Sequence, residues 1–339
     1  MLTLPLGVRI RIGVSAIICF VVGGAFLLGL PVLFSISLWV LLAVAALALL
    51  LGLLLNGTLR LLFGKKKNRS LLKSVGVFFC LLTIATALPI YYLAYKVQAD
   101  PPLLPQATLT NGQKTVVFQG MIHVGMESFY KSVVYDLEEA LSDGYRLYYE
   151  GVQPSPGEGD AWFAEQLAGG GDLAENYKVL ADACGVKFQI DYFGLMERDA
   201  QQHPERHVAA DVTSLEMKQE YYRLIATDPA FAEQVRDREA PASTDTSDPV
   251  AALLDWHASA TDEQKKLIGI LCRGAFAIAL GDQSEHEPRP LDKVILDFRN
   301  RKLAQRIIAD DSQRIYITYG AAHLPGVLAA LQAADPDWQ

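Results

Sequence analysis

Residues 114–123 read KTVVFQGMIH, a run rich in Val and Phe that ends in a Gly-x-x-His tetrad. Its apolar part, 114–119, is typical of a buried strand. Apolar residues then recur at helical spacing over 127–141, and a second strand-like run spans 145–149, directly before Glu150. A strand, a helix and a strand of these lengths predict a β-α-β unit whose strands are parallel.

The C-terminal part repeats this pattern. Residues 314–319 are strand-like, the tetrad Gly-Ala-Ala-His follows and ends at His323, and 324–334 has helical spacing. We expect His123, Glu150 and His323 just past strand ends, at the carboxyl edge of the sheet where α/β proteins place their sites. The sequence therefore predicts an α/β domain with a largely parallel sheet flanked by helices.

Charge divides the chain into two parts. Residues 1–97 carry nine of the 30 Lys and Arg residues and no Asp or Glu, whereas residues 98–339 carry the other 21 and all 38 acidic residues. The net charges are therefore +9 and −17. The first part suits a membrane and the second suits water. The acidic domain also argues against nucleic acid as a partner, because phosphate binding needs a basic face.

Three stretches in the first part are long enough to cross a bilayer, which takes about 20 apolar residues. They cover residues 12–32, 36–55 and 75–95, and none contains a charged side chain. The sequence thus predicts three transmembrane helices within a membrane anchor over 1–97, followed by a Pro-rich linker over 98–113.

The basic residues predict the orientation of the anchor. The loop 56–74 contains Lys65, Lys66 and Lys67 and is expected in the cytoplasm, where positively charged loops stay. The N-terminus is then cytoplasmic, and the α/β domain over 114–339 is extracytoplasmic, in the periplasm. We expect an inner-membrane, multi-pass protein whose partners include membrane lipids.

The two tetrads and Glu150 offer the ligand types of a hydrolytic metal centre. Two neutral imidazoles, His123 and His323, and the Glu150 carboxylate make three ligands and leave room for a water. A divalent ion there would lower the pKa of that water and supply hydroxide near neutral pH. A histidine at a strand end is also commonly a structural hydrogen-bonding residue, and the spacing alone leaves both interpretations open.

Four motifs in this order resemble the TraB/GumN family, which groups with the TIKI metalloproteases and the erythromycin-esterase-like proteins. The resemblance covers about residues 114–335. The motifs are Gly120-Met-Ile-His-Val-Gly, Tyr148-Tyr149-Glu150, Arg299-Asn300-x-x-Leu-Ala and Gly320-Ala-Ala-His-Leu-Pro-Gly326.

The resemblance implies a metal-dependent hydrolase that uses a divalent ion such as Mn, Co or Zn. It places the two essential histidines on His123 and His323, the acidic residue on Glu150 and the arginine on Arg299. TIKI-type members hydrolyse peptides, whereas other members are known chiefly as inhibitors of a peptide pheromone. Many relatives have an acidic residue directly before the arginine, where this chain has Phe298, with Asp297 one step further back.

Two further carboxylates have a structural and a functional interpretation. Glu127 lies four residues after His123 and is either a base near the site or an exposed residue at a helix start, where acids are favourable. Asp211 either lines the site or caps the helix predicted over 216–225.

The sequence supports three functional hypotheses. The first is a membrane-anchored metallohydrolase in which His123, His323 and Glu150 hold the metal or its water, and Arg299 binds an oxyanion or a substrate carboxylate. A peptide bond is the expected target, and an ester comes next. The second is a non-catalytic module that sequesters a secreted peptide or small molecule in the same cleft. The third is an envelope assembly protein in which the spans matter most.

Overall fold

The computed structural model describes residues 5–63, 71–99, 104–167, 173–239, 249–281 and 289–339. Lys65, Lys66 and Lys67, on which the predicted orientation partly depends, lie outside the described residues, as does part of the predicted linker. The chain divides into a helical unit, Met1–Pro102 with Asp255–Leu280, and a sheet unit, Leu103–Leu254 with Gly281–Gln339.

The described strands are β1 (Gln106–Thr110), β2 (Thr115–Met121), β3 (Val124–Gly125), β4 (Arg146–Tyr149), β5 (Lys187–Phe188), β6 (His207–Ala209) and β7 (Arg314–Gly320). The described helices are α1 (Leu6–Phe34), α2 (Trp39–Phe63), α3 (Leu71–Ala99), α4 (Glu127–Ser142), α5 (Glu158–Gln166), α6 (Leu173–Cys184), α7 (Ile190–Phe193), α8 (Glu197–Gln202), α9 (Ser214–Thr227), α10 (Pro229–Glu239), α11 (Pro249–Ser259), α12 (Asp262–Gly281), α13 (Arg299–Ala309) and α14 (Leu324–Ala334). Short 3-10 turns cover Gly194–Met196, Pro204–Arg206 and Ala321–His323, and a π-helical turn covers Lys293–Phe298.

Two described helices of the helical unit are long and apolar enough to cross a membrane. These segments are Trp39–Leu59 in α2 and Lys73–Ala99 in α3, and only 22% and 11% of their apolar windows are buried, unlike a soluble core helix. α1 covers the first predicted span as a helix, but its apolar stretch of described residues, Phe20–Phe34, is shorter than a span. Length and composition thus identify two candidate spans in the described chain.

Small residues allow the apolar helices of this unit to pack closely. A Cβ on Gly52 of α2 would lie 2.6 Å from Cγ2 and 3.1 Å from the backbone nitrogen of Val75 in α3. A side chain on Gly29 of α1 would collide with Tyr91, whose hydroxyl donates to the Phe26 carbonyl over 3.0 Å. Close backbone approach at small residues is typical of helix packing within a bilayer.

The sheet unit is built on a mostly parallel five-stranded sheet of order β1-β2-β7-β4-β6. β1 is antiparallel to β2, and the other neighbouring pairs are parallel. β7 lies between β2 and β4, so the strands of the predicted β-α-β unit are parallel but not neighbours. β1 lies within the predicted linker, so the sheet begins earlier than 114. A small antiparallel pair joins β3 to β5.

Helices cover both faces of this sheet, as the alternation of side chains along β7 requires. Ile315, Ile317 and Tyr319 point to one face, where they pack with residues of α13 and α14. Tyr316 points to the other face, where it packs with the apolar side of α4. This arrangement confirms the predicted α/β class with a largely parallel, helix-flanked sheet.

Two segments have structures that their local sequence does not indicate. Residues 186–192 are strand-like in sequence, but only Lys187–Phe188 pairs, and a short helix begins at Ile190. The apolar residues before Arg299 form the π-helical turn Lys293–Phe298, which continues directly into α13. That turn buries Val294 and Phe298 in a third cluster, with Trp162, Tyr221 and Phe231.

Candidate functional site

The carboxyl edge of the sheet brings the predicted site residues to one place. β2 ends two residues before His123, β4 ends directly before Glu150, and β7 leads into the turn that contains His323. β6 ends two residues before Asp211. Parallel strands end at a common edge, so residues from distant parts of the chain meet there.

Arg299 is the centre of this arrangement. It is the first residue of α13, and its side chain is only 6% exposed. Its Nε donates to Asp211 Oδ1 over 2.9 Å, and its Nη2 donates to Asp211 Oδ2 over 2.5 Å and to Glu150 Oε1 over 2.7 Å. We refer to Glu150, Asp211, Arg299 and His323 as the buried cluster.

Both carboxylates of the buried cluster are held in the ionised form. Burial raises the pKa of each, but the charge of Arg299 and its hydrogen bonds outweigh burial, so the pKa values of Glu150 and Asp211 lie below the ordinary range. Oε2 of Glu150 also accepts from the backbone nitrogen of Gly320 over 2.5 Å. A Cβ on Gly320 would lie 3.1 Å from this oxygen, so glycine permits the contact.

His323 is buried and neutral. Its Nδ1 lies 2.6 Å from Oδ1 of Asn300, and an amide oxygen only accepts, so this assignment puts the hydrogen on Nδ1 and a lone pair on Nε2. Nε2 lies 3.3 Å from Nη1 of Arg299 and 3.8 Å from Oε1 of Glu150. Burial, followed by the charge of Arg299, lowers the pKa of His323 to about 4.

Tyr319 and Asn300 fix the position of the His323 ring. The Tyr319 ring packs edge-on against the His323 ring, with 4.7 Å between the ring centroids. Arg299 Cζ lies 5.3 Å from the centroid of the same tyrosine ring. A side chain on Gly326 would collide with the Asn300 amide that bonds His323. Because Gly326 has no side chain, the Asn300 amide can occupy this space.

His123 is the more accessible histidine. Its Nδ1 contacts Nε2 of Gln189 at 2.9 Å, and its ring packs on Tyr177 of α6 at 4.4 Å between centroids. Burial is the main cause that lowers the pKa of His123, while Glu150 raises this pKa and Arg299 lowers it. The charges of Glu150 and Arg299 in the buried cluster therefore act on His123.

The structure decides whether Glu127, Asp211 and Asp297 belong to the site. Glu127 is exposed in the first turn of α4 and pairs with Lys131 at 2.8 Å, as expected of an exposed residue at a helix start. Asp211 does not cap α9, because Thr213 does so in a reciprocal capping box with Glu216. Asp297 is exposed, and the second carboxylate on Arg299 comes from Asp211 instead.

Two residues were missed or undecided in the sequence. Asp211 follows the end of a strand, as Glu150 does, and this position is the feature of the sequence that could have placed Asp211 in the site. Asn300 belongs to the Arg299-Asn300-x-x-Leu-Ala motif, but the sequence indicates no role for it, and its hydrogen bond with His323 appears only in the structure.

His123, His323 and Glu150 are residue types that bind divalent ions, although they do not form a complete set of metal ligands in the structure. Glu150 is ionised and His323 is neutral, the forms that bind metals. Their facing atoms, Oε1 of Glu150 and Nε2 of His323, are 3.8 Å apart, and both also contact Arg299. Among the described residues, however, no group of three or more His, Cys, Asp or Glu side chains is positioned to hold a metal.

Comparisons of this chain with models of protein families, with curated proteins and with solved structures find no match. Membership in the TraB/GumN family therefore stays a prediction from the motifs.

Proposed function

We propose that this chain is a membrane-anchored, metal-dependent hydrolase whose sheet unit acts on a peptide bond at the buried cluster and His123. The observation that supports this most directly is the burial of two ionised carboxylates, one arginine and one neutral histidine at the carboxyl edge of a parallel sheet. Burying charges is costly, and strongly perturbed titratable groups cluster at functional sites.

In this proposal His123, His323 and Glu150 hold a divalent ion such as Mn, Co or Zn. When bound, such an ion polarises a carbonyl oxygen and lowers the pKa of a bound water. The protein prepares the site by fixing the His323 ring through Asn300 and by keeping Glu150 ionised through Arg299 and Gly320. With both histidines neutral, the two carboxylates and Arg299 leave one net negative charge, which favours a cation.

The contacts of Arg299 favour a positioning role over the binding of an oxyanion. An arginine has five N–H donors. Here Nε and Nη2 donate to Asp211 and Glu150, while Nη1 faces the Ile295 carbonyl at 3.4 Å and His323 at 3.3 Å. The guanidinium is therefore already occupied, and the accessible His123 side of the cluster is where substrate and water would enter.

We further propose that α1, α2 and α3 all span the inner membrane, with the N-terminus in the cytoplasm and the sheet unit in the periplasm. The exposed apolar surfaces of α2 and α3 support the membrane location. The orientation rests on the basic loop between those two helices.

A non-catalytic binding protein is the second candidate function. Two observations favour it, namely the occupied guanidinium of Arg299 and the absence of a complete metal-binding group among the described residues. In that case the surface around His123 captures a secreted peptide or small molecule without cleaving it.

Metal content and turnover distinguish the two functions. The full chain would be purified in detergent as wild type, His123→Ala, His323→Ala and, as a control, the exposed His203→Ala. The hydrolase predicts bound metal and peptide cleavage in wild type and in the control, and loss of both in the other two variants. If the folded wild-type chain contains no metal and cleaves no peptide after addition of Mn, Co or Zn, the hydrolase is excluded and the binding function is retained.

A further inference from the structure

Residues Asp255–Leu280 belong to the helical unit, although they follow four of the five strands of the main sheet in sequence. Leu267 of α12 packs against the apolar cluster of α1, α2 and α3 that contains Leu27, Ile36 and Ala87. Further along α12, a Cβ on Gly274 would lie 2.5 Å from Cβ of Leu93. The helix is thus in close contact with the candidate spans.

α12 changes character along its length. Its first residues, Asp262 to Lys266, are mostly charged, but the rest reads LIGILCRGAFAIALG and contains Arg273 as its one charged residue. Within this apolar part, Ala275 and Ile278 are exposed and Leu271 is partly exposed. These positions follow the i, i+4, i+7 spacing of a single helix face.

The contacts of α12 place it at one end of the apolar helices. Leu93 lies between Tyr92 and Tyr95, which are 53% and 65% exposed and correspond to an interfacial aromatic belt. Ile36 lies in the turn between α1 and α2 and belongs to the same cluster as Leu267. The packing of Leu267 on this cluster and the close approach of Gly274 to Leu93 place α12 beside that end of α3.

We propose that α12 is a membrane-embedded helix that lies at the lipid interface beside the Tyr92–Tyr95 end of α3 and contacts lipid through Leu271, Ala275 and Ile278. The partner is the bilayer, because α12 packs on the apolar helices α1 to α3, and the candidate spans in α2 and α3 are themselves mostly exposed and apolar. The charged first turn of α12 can stay in water while its apolar remainder contacts lipid. Trp256 of the preceding α11 is 41% exposed and is a residue type favoured at this level.

This proposal rests on the membrane location of α2 and α3 and is independent of the hydrolytic function. It extends the membrane anchor beyond the first hundred residues. It also means that the segment after α10 returns to the membrane before the chain completes its sheet.

Site-specific photo-crosslinking in proteoliposomes tests the proposal on the full chain. Ile278→p-benzoylphenylalanine would be compared with the same substitution at Val77 of α3, which is 59% exposed on a candidate span, and at Tyr222 of α9, which is 52% exposed in the sheet unit. The vesicles would contain phosphatidylethanolamine and phosphatidylglycerol, and lipid adducts would be quantified by mass spectrometry. We expect adducts at positions 278 and 77 in yields within about threefold of each other, and none at 222.

The outcomes separate this proposal from the membrane location itself. Lipid adducts at 77 but not at 278 would overturn the embedding of α12 and leave the spans in the bilayer. A crosslink from 278 to a second copy of the chain would likewise overturn it, since another protein would then cover the face. Absence of lipid adducts at both 77 and 278 would remove the membrane location as well.

Discussion

The guanidinium of Arg299 meets the carboxylate of Asp211 through two hydrogen bonds, although 88 positions separate the residues in sequence. Both side chains are buried, and Asp211 Oδ1 and Oδ2 also accept from the backbone nitrogens of Val212 and Gly151. Glu150 shares the same guanidinium. The Asp211–Arg299 pair therefore joins the end of β6 to the start of α13. It also holds in place the positive charge of Arg299, which lowers the pKa values of Glu150 and His323.

Asp211→Asn is expected to lower the free energy of unfolding of the sheet unit by up to about 3 to 5 kcal/mol, because the buried guanidinium of Arg299 then has Glu150 as its one remaining carboxylate partner. Asp297→Asn is the matched control, since Asp297 is exposed two residues before the arginine. Thermal unfolding followed by circular dichroism in detergent would measure both. Equal losses in the two variants would contradict the assignment of Asp211 as the partner of Arg299.

The pH dependence of stability should contain a step that belongs to His323. In the folded chain its pKa is about 4, compared with an ordinary value of 6.5, so the unfolded chain binds the proton first. Stability is then fully present above about pH 6.5 and falls by about 3 kcal/mol as the pH drops to about 4. Denaturation measured across this range should show the step in wild type and not in His323→Gln.

The exposed His203 provides the control for this experiment. His203→Gln should retain the step. A step of unchanged size in His323→Gln would show that other groups carry the pH dependence.

Gly326→Ala should weaken the site without touching a titratable group. The added methyl would collide with the Asn300 amide, which fixes the His323 ring. If the proposed hydrolase activity is present, we expect kcat/KM to fall about 10- to 100-fold, the usual effect of disturbing the partner of a metal-binding histidine. Gly194→Ala, at a glycine with no atom within 4 Å of its would-be Cβ, should leave kcat/KM unchanged.

Tyr177 is expected to shield His123 through its ring rather than through its hydroxyl. The two rings are 4.4 Å apart at an angle of 31°, and Phe188 packs beyond Tyr177. Tyr177→Ala should increase severalfold the rate at which diethyl pyrocarbonate modifies His123, measured by peptide mass spectrometry. Tyr177→Phe retains the ring and should keep the wild-type rate. A faster reaction in the Phe variant would assign the shielding to the hydroxyl.

Gly52→Val should destabilise the packing of α2 on α3 by about 1 to 3 kcal/mol, the usual cost of overpacking. The new side chain would meet both Cγ2 and the backbone of Val75. Gly57→Val lies in the same helix with no atom within 4 Å of the would-be Cβ, so it controls for the loss of glycine itself. Thermal stability of the purified chain in detergent would compare them, and equal effects would contradict close packing at Gly52.

Much of the sheet unit was predictable because its signals are local. Strand-length apolar runs, helical spacing and glycines after strands predicted the parallel class, and Glu150 was correctly expected near His323 at the carboxyl edge. Strand order was not predictable, since nothing in β2 or β4 indicates that β7 separates them. Pairing of distant strands is decided by the whole core and not by neighbours in sequence.

The site was predicted less completely than the fold. Asp211 had two plausible local roles, and only tertiary structure shows that Thr213 already caps α9. The predicted role of Arg299 as a substrate ligand depended on free donors, and the sequence does not report that two carboxylates occupy them. Tyr177 and Gln189 contact His123 in the structure, but nothing in the sequence indicated that they lie beside it.

The position of β7 at the centre of the sheet has a consequence for biogenesis. A ribosome makes β2, β4 and β6 well before β7, so during synthesis the edges of β2 and β4 that β7 will cover expose unpaired backbone groups. If translocation delivers the nascent chain in that order, the sheet cannot close until its last strand emerges. The intermediate then presents two open edges to its surroundings, which is the kind of species that aggregates unless a chaperone protects it.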